Sequence, residues 1–449
     1  MLVVVVVFAL LTGFFITSLQ SLQTASIATP PTLPGATAPP SPTAPPAATS
    51  TPTPEGGIWS QVQAARLFDQ IAHQVETERA LSPQAEVPLS FLNEGEMTET
   101  LRELYTKQDP PTLLPPLTAL GLLPEEAMHV QAQRPAGLYV PEHRQLYVST
   151  DRSQDDPEAQ ALLAHGYVHA LQDQHFDLEA THARAQTTDE RLATEALVEG
   201  DATLVTALYT SRDLSAVDWE ALTALIVEAE HPDYGGAWAD HDAWARLQRF
   251  PNREGRVFAR AVVDHGGWEA LDRCYTDLPR STEAILHPAR YLGLASAEGE
   301  TASPVSVAVP DLDPVLGEQW SPVLQDTLGE FVVGLFMNQV VPAERAWEIA
   351  DGWDGDTFVV WEREDGRRIL VWRSIWSDSG EAAEYEQGLR LLVPQLHVPV
   401  EPIDPPLGLP GLWWETRDGT VNVRRTARYV MLVRAPDTNT AINVLRELP

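Results

Sequence analysis

The chain has 449 residues, of which 44% are hydrophobic and 13 are tryptophan, enough to bury the cores of two or three domains. Its formal net charge of -34 at pH 7 argues against nucleic acid and anionic membrane surfaces as partners, because both select for basic patches. The single cysteine, Cys274, excludes an intramolecular disulfide and a cysteine-based metal cluster.

The first predicted element is an uncharged, mostly apolar run from Leu2 to Leu19, which is long enough to cross a bilayer as a helix. We expect residues 1–23 to be a transmembrane anchor, since the run is longer than the apolar core of a usual signal peptide. Small residues near Ala25 leave cleavage open as the alternative. The prediction is a single-pass protein of the cell membrane with an extracytoplasmic body, or a secreted protein if the segment is removed.

Residues 24–57 are rich in proline, threonine and alanine and carry almost no charge. Such a segment cannot bury enough apolar surface to offset the entropy lost on ordering, so it is predicted to be a disordered, extended linker. The composition becomes that of a globular protein at Ile58. We divide the remainder into a mainly helical domain, residues 58–311, and a C-terminal domain, residues 312–449.

The helical domain is predicted to open with two helices and a hairpin. Apolar residues recur at helical spacing after Ile58, and residues 96–107 predict a second helix. Two short runs, Gly137–Val140 and Gln145–Ser149, flank a turn that contains proline. They predict a small β-hairpin just before the next helix.

Two long helices are predicted to follow. Asp156 before a proline predicts the start of a helix over residues 156–177, and acidic residues at its start favour a second long helix over residues 188–210. Further helices are predicted at residues 218–230, at residues 255–275 with a break at Gly266-Gly267, and at residues 281–288.

After residue 312 the pattern changes to short runs rich in valine, isoleucine and tryptophan. Strands are predicted at residues 358–362, 368–376, 411–416 and 420–433, and helices at residues 380–392 and 438–448. The order strand, strand, helix, strand, strand, helix predicts a small α+β sandwich. The expected fold class of the whole chain is therefore α+β.

Two histidines in the helix predicted over residues 156–177 have the spacing of a metal site. His165 and His169 are four residues apart, so they lie on one face of a helix and both can offer a ring nitrogen to one Zn²⁺. A zinc site of this type needs a third protein ligand, and Glu199 on the next long helix is the best candidate. Glu195, one turn earlier on the same face, is a rival ligand, although an exposed helix carboxylate is the simpler interpretation.

Three separated segments, AHGYVHALQDQHFDL, ALVEGDATLV and STEAILHP, occur in this order within roughly residues 58–300. Together they resemble the gluzincin group of zinc metallopeptidases, and more narrowly a bacterial family of exported gluzincin-like proteins of uncharacterised function. In gluzincins the motif H-E-x-x-H on one helix is completed by a glutamate from a downstream helix. The resemblance implies a zincin-like domain in which His165, His169 and Glu199 bind zinc. The block GWDGD, which begins at Gly352, suggests that the resemblance continues into the C-terminal domain.

The sequence departs from this motif at Gly166, where the resemblance implies the glutamate that acts as general base. Glycine has no group that can accept or donate a proton, and the loss of general acid–base catalysis costs about 10²- to 10⁴-fold in rate. Three explanations remain: a pseudoenzyme that kept the fold for binding, which we favour; an enzyme whose base comes from elsewhere; and a recent or erroneous single-base change.

Four further residues are candidates for a role at the site. If the base comes from elsewhere, it is Glu195, Glu283 or His287, although the last can equally be a structural histidine. Asp173, one turn after His169, is a candidate to accept a hydrogen bond from a ligand imidazole, or is simply solvated.

The preferred interpretation is a membrane-tethered, extracytoplasmic and catalytically impaired pseudopeptidase that retains its zinc. The alternatives are an active zinc metallopeptidase with a non-standard base and a domain without metal. We expect a cleft between the strand Gln145–Ser149 and the helix at residues 165–177 to bind a peptide or protein ligand, which pairs with the strand by edge addition. Membrane contact is expected through the N-terminal segment only.

Overall fold

The described part of the chain comes from a computed structural model and comprises residues 61–93, 95–100, 114–124, 130–131, 137–153, 155–230, 233–234, 242–294, 303–396 and 399–448. All of these residues belong to one compact unit. The predicted membrane segment and linker lie outside them, as do residues 101–107 of the second predicted helix. None of the helices in the described ranges is long and apolar enough to cross a membrane.

The described residues up to Tyr291 are mainly helical. Its helices are α1 (Gln61–Arg79), α2 (at residues 95–100), α3 (Leu114–Ala119), α4 (Pro157–Phe176), α5 (Leu178–Ala183), α6 (Thr188–Thr210), α7 (Trp219–Glu230), α8 (Asp242–Gly266), α9 (Trp268–Thr276), α10 (Thr282–Leu286) and α11 (Pro288–Tyr291). The predicted helices agree closely with α4, α6, α7 and α10. The predicted break at Gly267 separates α8 from α9, and a positive φ of 70° explains why glycine stands there.

The two long helices α4 and α6 begin where their capping residues place them. The Asp156 carboxylate accepts a hydrogen bond from the backbone N–H of Glu158, and a proline occupies the first turn of α4. The side chain of Thr187 caps α6 in the same way, by accepting from the N–H of Glu190. Because the caps fix both starts, the register of the histidines and of the glutamate on their helices is fixed as well.

A three-stranded sheet precedes α4. It consists of β1 (Leu89–Leu92), β3 (Gly137–Val140) and β4 (Gln145–Ser149), and the hairpin of β3 and β4 confirms the prediction. The order is β1-β4-β3, with β1 parallel to β4. The expectation that Gln145–Ser149 offers a free edge to a peptide is therefore wrong, because the unpredicted strand β1 occupies that edge. Elsewhere, β2 (Val130–Gln131) pairs with β5 (Asp233–Tyr234).

Helix α4 packs closely on this hairpin at two glycines. A Cβ atom at Gly137 would lie 2.8 Å from Cδ2 of Leu163, and a Cβ atom at Gly166 would lie 2.8 Å from Cδ1 of Leu146. Leu146 is fully buried in the cluster between the sheet, α1 and α4. The side of α4 that carries Gly166 therefore faces β3 and β4.

The C-terminal part contains a seven-stranded antiparallel sheet in the order β6-β7-β8-β12-β11-β10-β9. The strands are β6 (Trp320–Asp326), β7 (Trp353–Arg363), β8 (Arg368–Trp376), β9 (Val400–Pro402), β10 (Leu412–Thr416), β11 (Gly419–Thr426) and β12 (Tyr429–Ala435). Residues 420–433, predicted as continuous strand, are interrupted by a turn in which Ala427 has a φ of 53°. The strands β6 and β9 were not predicted.

Among the described residues five α-helices accompany this sheet, and α12, α13 and α14 were not predicted. They are α12 (Asp313–Leu316), α13 (Gly329–Asn338), α14 (Ala343–Ala350), α15 (Ser379–Leu396) and α16 (Thr438–Glu447). Alternate strand residues point to opposite faces, so Trp372 packs in one cluster with α13 and α15, while Trp413 packs in another with α16. The chain thus has an α+β fold.

The helical and C-terminal parts share their largest core. Leu197 of α6, Phe331 of α13 and Trp372 of β8 belong to the same buried cluster. At the edge of this core the carboxylate of Asp326 accepts hydrogen bonds from the backbone N–H of Thr188 at 2.7 Å and from its hydroxyl at 2.6 Å. The C-terminal part therefore provides hydrogen-bond acceptors for the first turn of α6.

Candidate metal centre

His165, His169 and Glu199 converge between α4 and α6. The two Nε2 atoms are 3.1 Å apart, and they lie 3.3 Å and 3.4 Å from Oε2 and Oε1 of Glu199, respectively. His165 and His169 are four residues apart on α4, so both rings lie on one face of that helix. Because α4 packs closely on α6, this face meets Glu199. These three buried side chains form a group that can hold a metal ion.

The tautomer of His165 follows from its neighbour Thr206. Nδ1 of His165 lies 3.1 Å from the Thr206 hydroxyl, which itself donates its hydrogen to the carbonyl of Ala202 at 2.7 Å. The hydroxyl has only one hydrogen, so it must accept from His165. Nδ1 therefore carries a hydrogen, and in the neutral tautomer the lone pair is on Nε2, which faces Glu199 and His169.

Gln172 fixes the second ring in the same way. Its amide nitrogen donates to the carbonyl of Val198 at 3.0 Å, which identifies the other amide atom as the oxygen. That oxygen lies 2.8 Å from Nδ1 of His169 and accepts its hydrogen. His169 therefore also turns Nε2 toward the carboxylate, and histidine ligands of metals are commonly oriented by such a hydrogen bond on the opposite nitrogen.

Asn252 of α8 holds the carboxylate. Its amide nitrogen donates to Oε2 of Glu199 at 2.8 Å, and Asn252 is fully buried. α8 reaches this position because it crosses α6 at two glycines, Gly200 and Gly255, with no side chain between the backbones. No sequence pattern pointed to Asn252, whereas Gln172 and Thr206 lie one turn and two turns from predicted ligands and share their helices.

A buried network of hydrogen bonds and ion pairs connects Gln172 to residues farther from the metal centre. Gln172 donates to Asp201 at 3.1 Å, and Asp201 pairs with Arg79 at 2.7 Å, with both members of the pair fully buried. Tyr275 donates its hydroxyl hydrogen to the same carboxylate at 2.9 Å. The orientation of His169 is therefore coupled to α1, α6 and α9.

The separations fit a tetrahedral ion. Ligand atoms about 2.0–2.1 Å from a tetrahedral zinc ion lie about 3.3 Å from one another. The two Nε2 atoms are 3.1 Å apart and lie 3.3 and 3.4 Å from the two different oxygens of Glu199, distances that are close to that edge length. His165 is fully buried, while the side chains of His169 and Glu199 are each 10% exposed, so the open side of the centre lies toward the latter two.

Gly166 lies beside the centre but carries no functional group. Its helix position is buried, and an added Cβ atom would meet Leu146 and the backbone N–H of Tyr139, at 2.8 Å and 3.5 Å. A side chain at this position would therefore start against the hairpin, in a space that the leucine now fills.

The other predicted site residues do not join the three ligands. Asp173 accepts from the hydroxyl of Tyr139 at 2.7 Å and from the backbone N–H of Leu178 at 3.1 Å, while Gln172 and Thr206 take the role predicted for it. Glu195 lies 3.0 Å from Nε2 of His182. Burial lowers the pKa of His182, but the contact with Glu195 outweighs it and raises that pKa overall.

His287 and Glu283 lie in a separate cluster. Nε2 of His287 contacts Glu330 at 2.9 Å and Asp351 at 3.1 Å. Burial opposes protonation of the ring, yet the bond to Glu330 raises the pKa of His287. Burial and the nearby Glu330 raise the pKa of Glu283 to about 7. Neither residue contacts the three converging side chains among the contacts described.

Residues 320–445 match a domain of unknown function (DUF8575). The matched range begins at β6 and ends within α16, so it covers the seven-stranded sheet and none of His165, His169 and Glu199. No curated protein shows a significant match to the chain. No solved structure shows one either.

Proposed function

We propose that the protein is a zinc-binding, zincin-like pseudopeptidase, tethered to the membrane through its N-terminal segment, whose body is extracytoplasmic. One observation carries the metal assignment: the Nε2 atoms of two imidazoles and a carboxylate face one another at 3.1–3.4 Å. Three electron-rich groups repel one another in a buried site unless a cation lies between them. The hydrogen bonds that His165 donates to Thr206 and that His169 donates to Gln172 leave both Nε2 atoms available to a cation.

Zinc is the ion that this donor set favours. Two imidazoles and one carboxylate at tetrahedral spacing are the protein ligands of many zinc sites that keep a fourth position open. A bound zinc ion would supply a Lewis acid at that position. The residues of this chain hold and orient it: Asn252 steadies the carboxylate, and the two Nδ1 partners aim the rings.

The absence of a base at Gly166 supports a binding role rather than hydrolysis. The position next to the first ligand bears no carboxylate, and the adjoining space is filled by Leu146. Glu195 is engaged with His182. The chain therefore retains the groups that hold a metal, while the proton-transfer group of the resembling peptidases is missing from its position.

A peptide or protein ligand remains our proposal for the partner. β4 is paired on both sides, so the strand that lies nearest to α4 with one unpaired side among the described strands is β3. An extended ligand that adds to β3 would pair with the strand on which α4 packs at Gly166. The backbone of Gly137–Val140 would supply the hydrogen bonds.

Metal analysis of the purified full-length chain in detergent micelles tests the metal assignment. We expect His169→Gln and Glu199→Gln each to lose one zinc equivalent per chain relative to the wild type. His175→Gln is the matched control, because His175 is on the same helix but bonds Ser82 and Gln84. An unchanged zinc content in both ligand variants would refute the proposed centre.

A peptide-cleavage assay on the zinc-loaded chain tests the missing activity. We expect no cleavage above the level of His169→Gln with a mixture of unstructured peptides. Strong cleavage that disappears in His169→Gln would instead establish an active peptidase with a base from elsewhere. Loss of that cleavage in Glu195→Gln would then identify the base.

A further inference from the structure

A second cluster of metal-binding residue types lies where the helical part meets the C-terminal part. His287 follows α10, Glu330 is in the first turn of α13, and Asp351 follows α14. Nε2 of His287 is 2.9 Å and 3.0 Å from the two oxygens of Glu330 and 3.1 Å from Oδ1 of Asp351. Two of the sequence segments singled out above, STEAILHP and the block from Gly352, meet here or end beside it.

Hydrogen bonding does not account for this arrangement. Nε2 of an imidazole carries at most one hydrogen, yet it faces three carboxylate oxygens within 3.1 Å. One hydrogen can make one good bond, or two weak ones, to these three acceptors. Each of the three side chains brings one possible ligand atom to within 4.8 Å of the others, so together they form a group that can hold a metal ion.

Glu330 provides a second, separate observation. Its carboxylate is only 3% exposed, and among the described residues its hydrogen-bond donor is the ring of His287. An ionised carboxylate has about four lone-pair directions, and burial makes unfilled ones costly. In the described part of the chain, the single ring nitrogen of His287 leaves most of the Glu330 lone pairs without a partner, and a coordinated cation would bind to them.

The charge around the cluster is also unbalanced. Glu283 lies nearby, so three carboxylates surround His287 and Arg290. Arg290 bonds Asp351 at 2.9 Å and reaches Glu283 only at 3.5 Å. When a metal ion holds the imidazole in its neutral form and all three carboxylates are ionised, these groups and Arg290 carry a formal charge of -2, which one divalent cation would balance.

We propose that His287, Glu330 and Asp351 bind a second divalent metal ion of the first transition row, with Zn²⁺ or Mn²⁺ as the best matches. One imidazole with two carboxylates is a mixed nitrogen and oxygen donor set, which suits these ions better than Ca²⁺, whose ligands are oxygens. The ion joins α10 to α13 and α14, and so fastens the helical part to the C-terminal part. This inference does not depend on the first metal centre.

The test is metal stoichiometry of the full-length chain in detergent micelles, measured after dialysis against buffered Zn²⁺ and, in a separate series, Mn²⁺. We expect Glu330→Gln to lose one equivalent of bound metal in at least one series. Gln keeps an acceptor for the His287 ring, so the fold is expected to persist, and circular dichroism checks this. Asp354→Asn is the matched control, because Asp354 is a nearby carboxylate that pairs with Arg428 and is not a ligand.

Arg290 supplies a variant with the opposite expectation. Its guanidinium competes with the cation for Asp351, so Arg290→Gln is expected to lower the dissociation constant of the second ion about fivefold, the effect of one exposed ion pair. If Glu330→Gln keeps the metal count of the wild type in both series, the cluster is an ion-pair network and the proposal is overturned. The His169→Gln variant, which concerns the other centre, is expected to retain the second ion.

Discussion

Gly200 of α6 lies directly against Gly255 of α8, so closely that a Cβ atom on Gly200 would be 2.2 Å from the carbonyl carbon of Gly255. A Cβ atom on Gly255 would be 2.0 Å from the carbonyl oxygen of Ala196. These neighbours are backbone atoms, which cannot move aside as a side chain can. The contact brings Asn252 to within 2.8 Å of Glu199.

We therefore expect Gly255→Ala to separate the two helices and to lower the free energy of unfolding by more than about 3 kcal/mol. Zinc affinity should fall with it, because Asn252 moves away from the carboxylate. Urea unfolding and metal analysis measure the two effects. Gly95→Ala in α2 is the control, since its Cβ atom meets only the Asn93 side chain at 3.3 Å; equal stability of both variants would contradict the prediction.

Gly166 is expected to tolerate a methyl group but not a carboxylate. In Gly166→Ala the gain in helix propensity of about 1 kcal/mol offsets the displacement of the Leu146 side chain, so stability should stay near that of the wild type. Gly166→Glu must bury a longer, charged group against the hairpin and should lose about 1–3 kcal/mol. Urea unfolding compares the two, and a glutamate variant as stable as the alanine variant would show that the space is open.

Thr206→Val removes the acceptor of the His165 ring hydrogen and keeps the shape of the side chain. We expect a 10- to 100-fold loss of zinc affinity, roughly the usual effect of removing an outer partner of a histidine ligand. Competition with a zinc chelator measures it. Thr194→Val is the control on the same helix, because the buried Thr194 hydroxyl has no hydrogen-bond partner among the described residues; equal losses in both variants would count against the assigned tautomer.

Asp189 is expected to make stability depend on pH. Burial raises the pKa of Asp189 well above its usual value, although hydrogen bonds from Thr282 oppose the shift. The folded state therefore holds the proton more tightly than the unfolded state. This contribution is complete below the pKa of the unfolded chain and is lost as pH rises through the raised pKa of the folded state.

Asp189→Asn should remove this part of the pH dependence, because the amide cannot ionise and still offers an oxygen to Thr282. The measurement is the free energy of unfolding from about pH 4 upward for both proteins. The wild type should lose stability relative to the variant as pH rises. A difference that is constant with pH, or that grows in favour of the wild type, would contradict the raised pKa.

Local signals in the sequence were enough for much of the site. The spacing of His165 and His169 and the caps of α4 and α6 follow from nearest-neighbour rules, and these fix which side chains share a helix face. The approach of Glu199 to the rings required only that the two helices pack together. The structure brings these three residues together as predicted.

Features that depend on distant chain segments escaped prediction. The pairing of β1 with β4 joins residues far apart in sequence, and a four-residue strand of half-buried side chains gives no period by which to recognise it. The hydrogen bond from Asn252 to Glu199 depends on how α8 crosses α6. The hydrogen bond that Asp173 accepts from Tyr139, instead of one from a ligand imidazole, depends on how α4 packs on the sheet, and no local sequence pattern encodes either. The convergence of the three side chains was therefore predictable, while the hydrogen bonds that orient them were not.

The hydrogen bonds from Thr188 to Asp326 limit where the chain can be truncated. Asp326 lies inside the range that matches DUF8575, yet it accepts hydrogen bonds from the first turn of α6, the helix that contains Glu199. Removing the residues from 312 onward would remove the two Asp326 oxygens that accept hydrogen bonds from that helix. It would also expose part of the shared core to water. We expect such a fragment to aggregate rather than to fold as it does in the full-length chain. Metal binding should therefore be measured on the full-length protein.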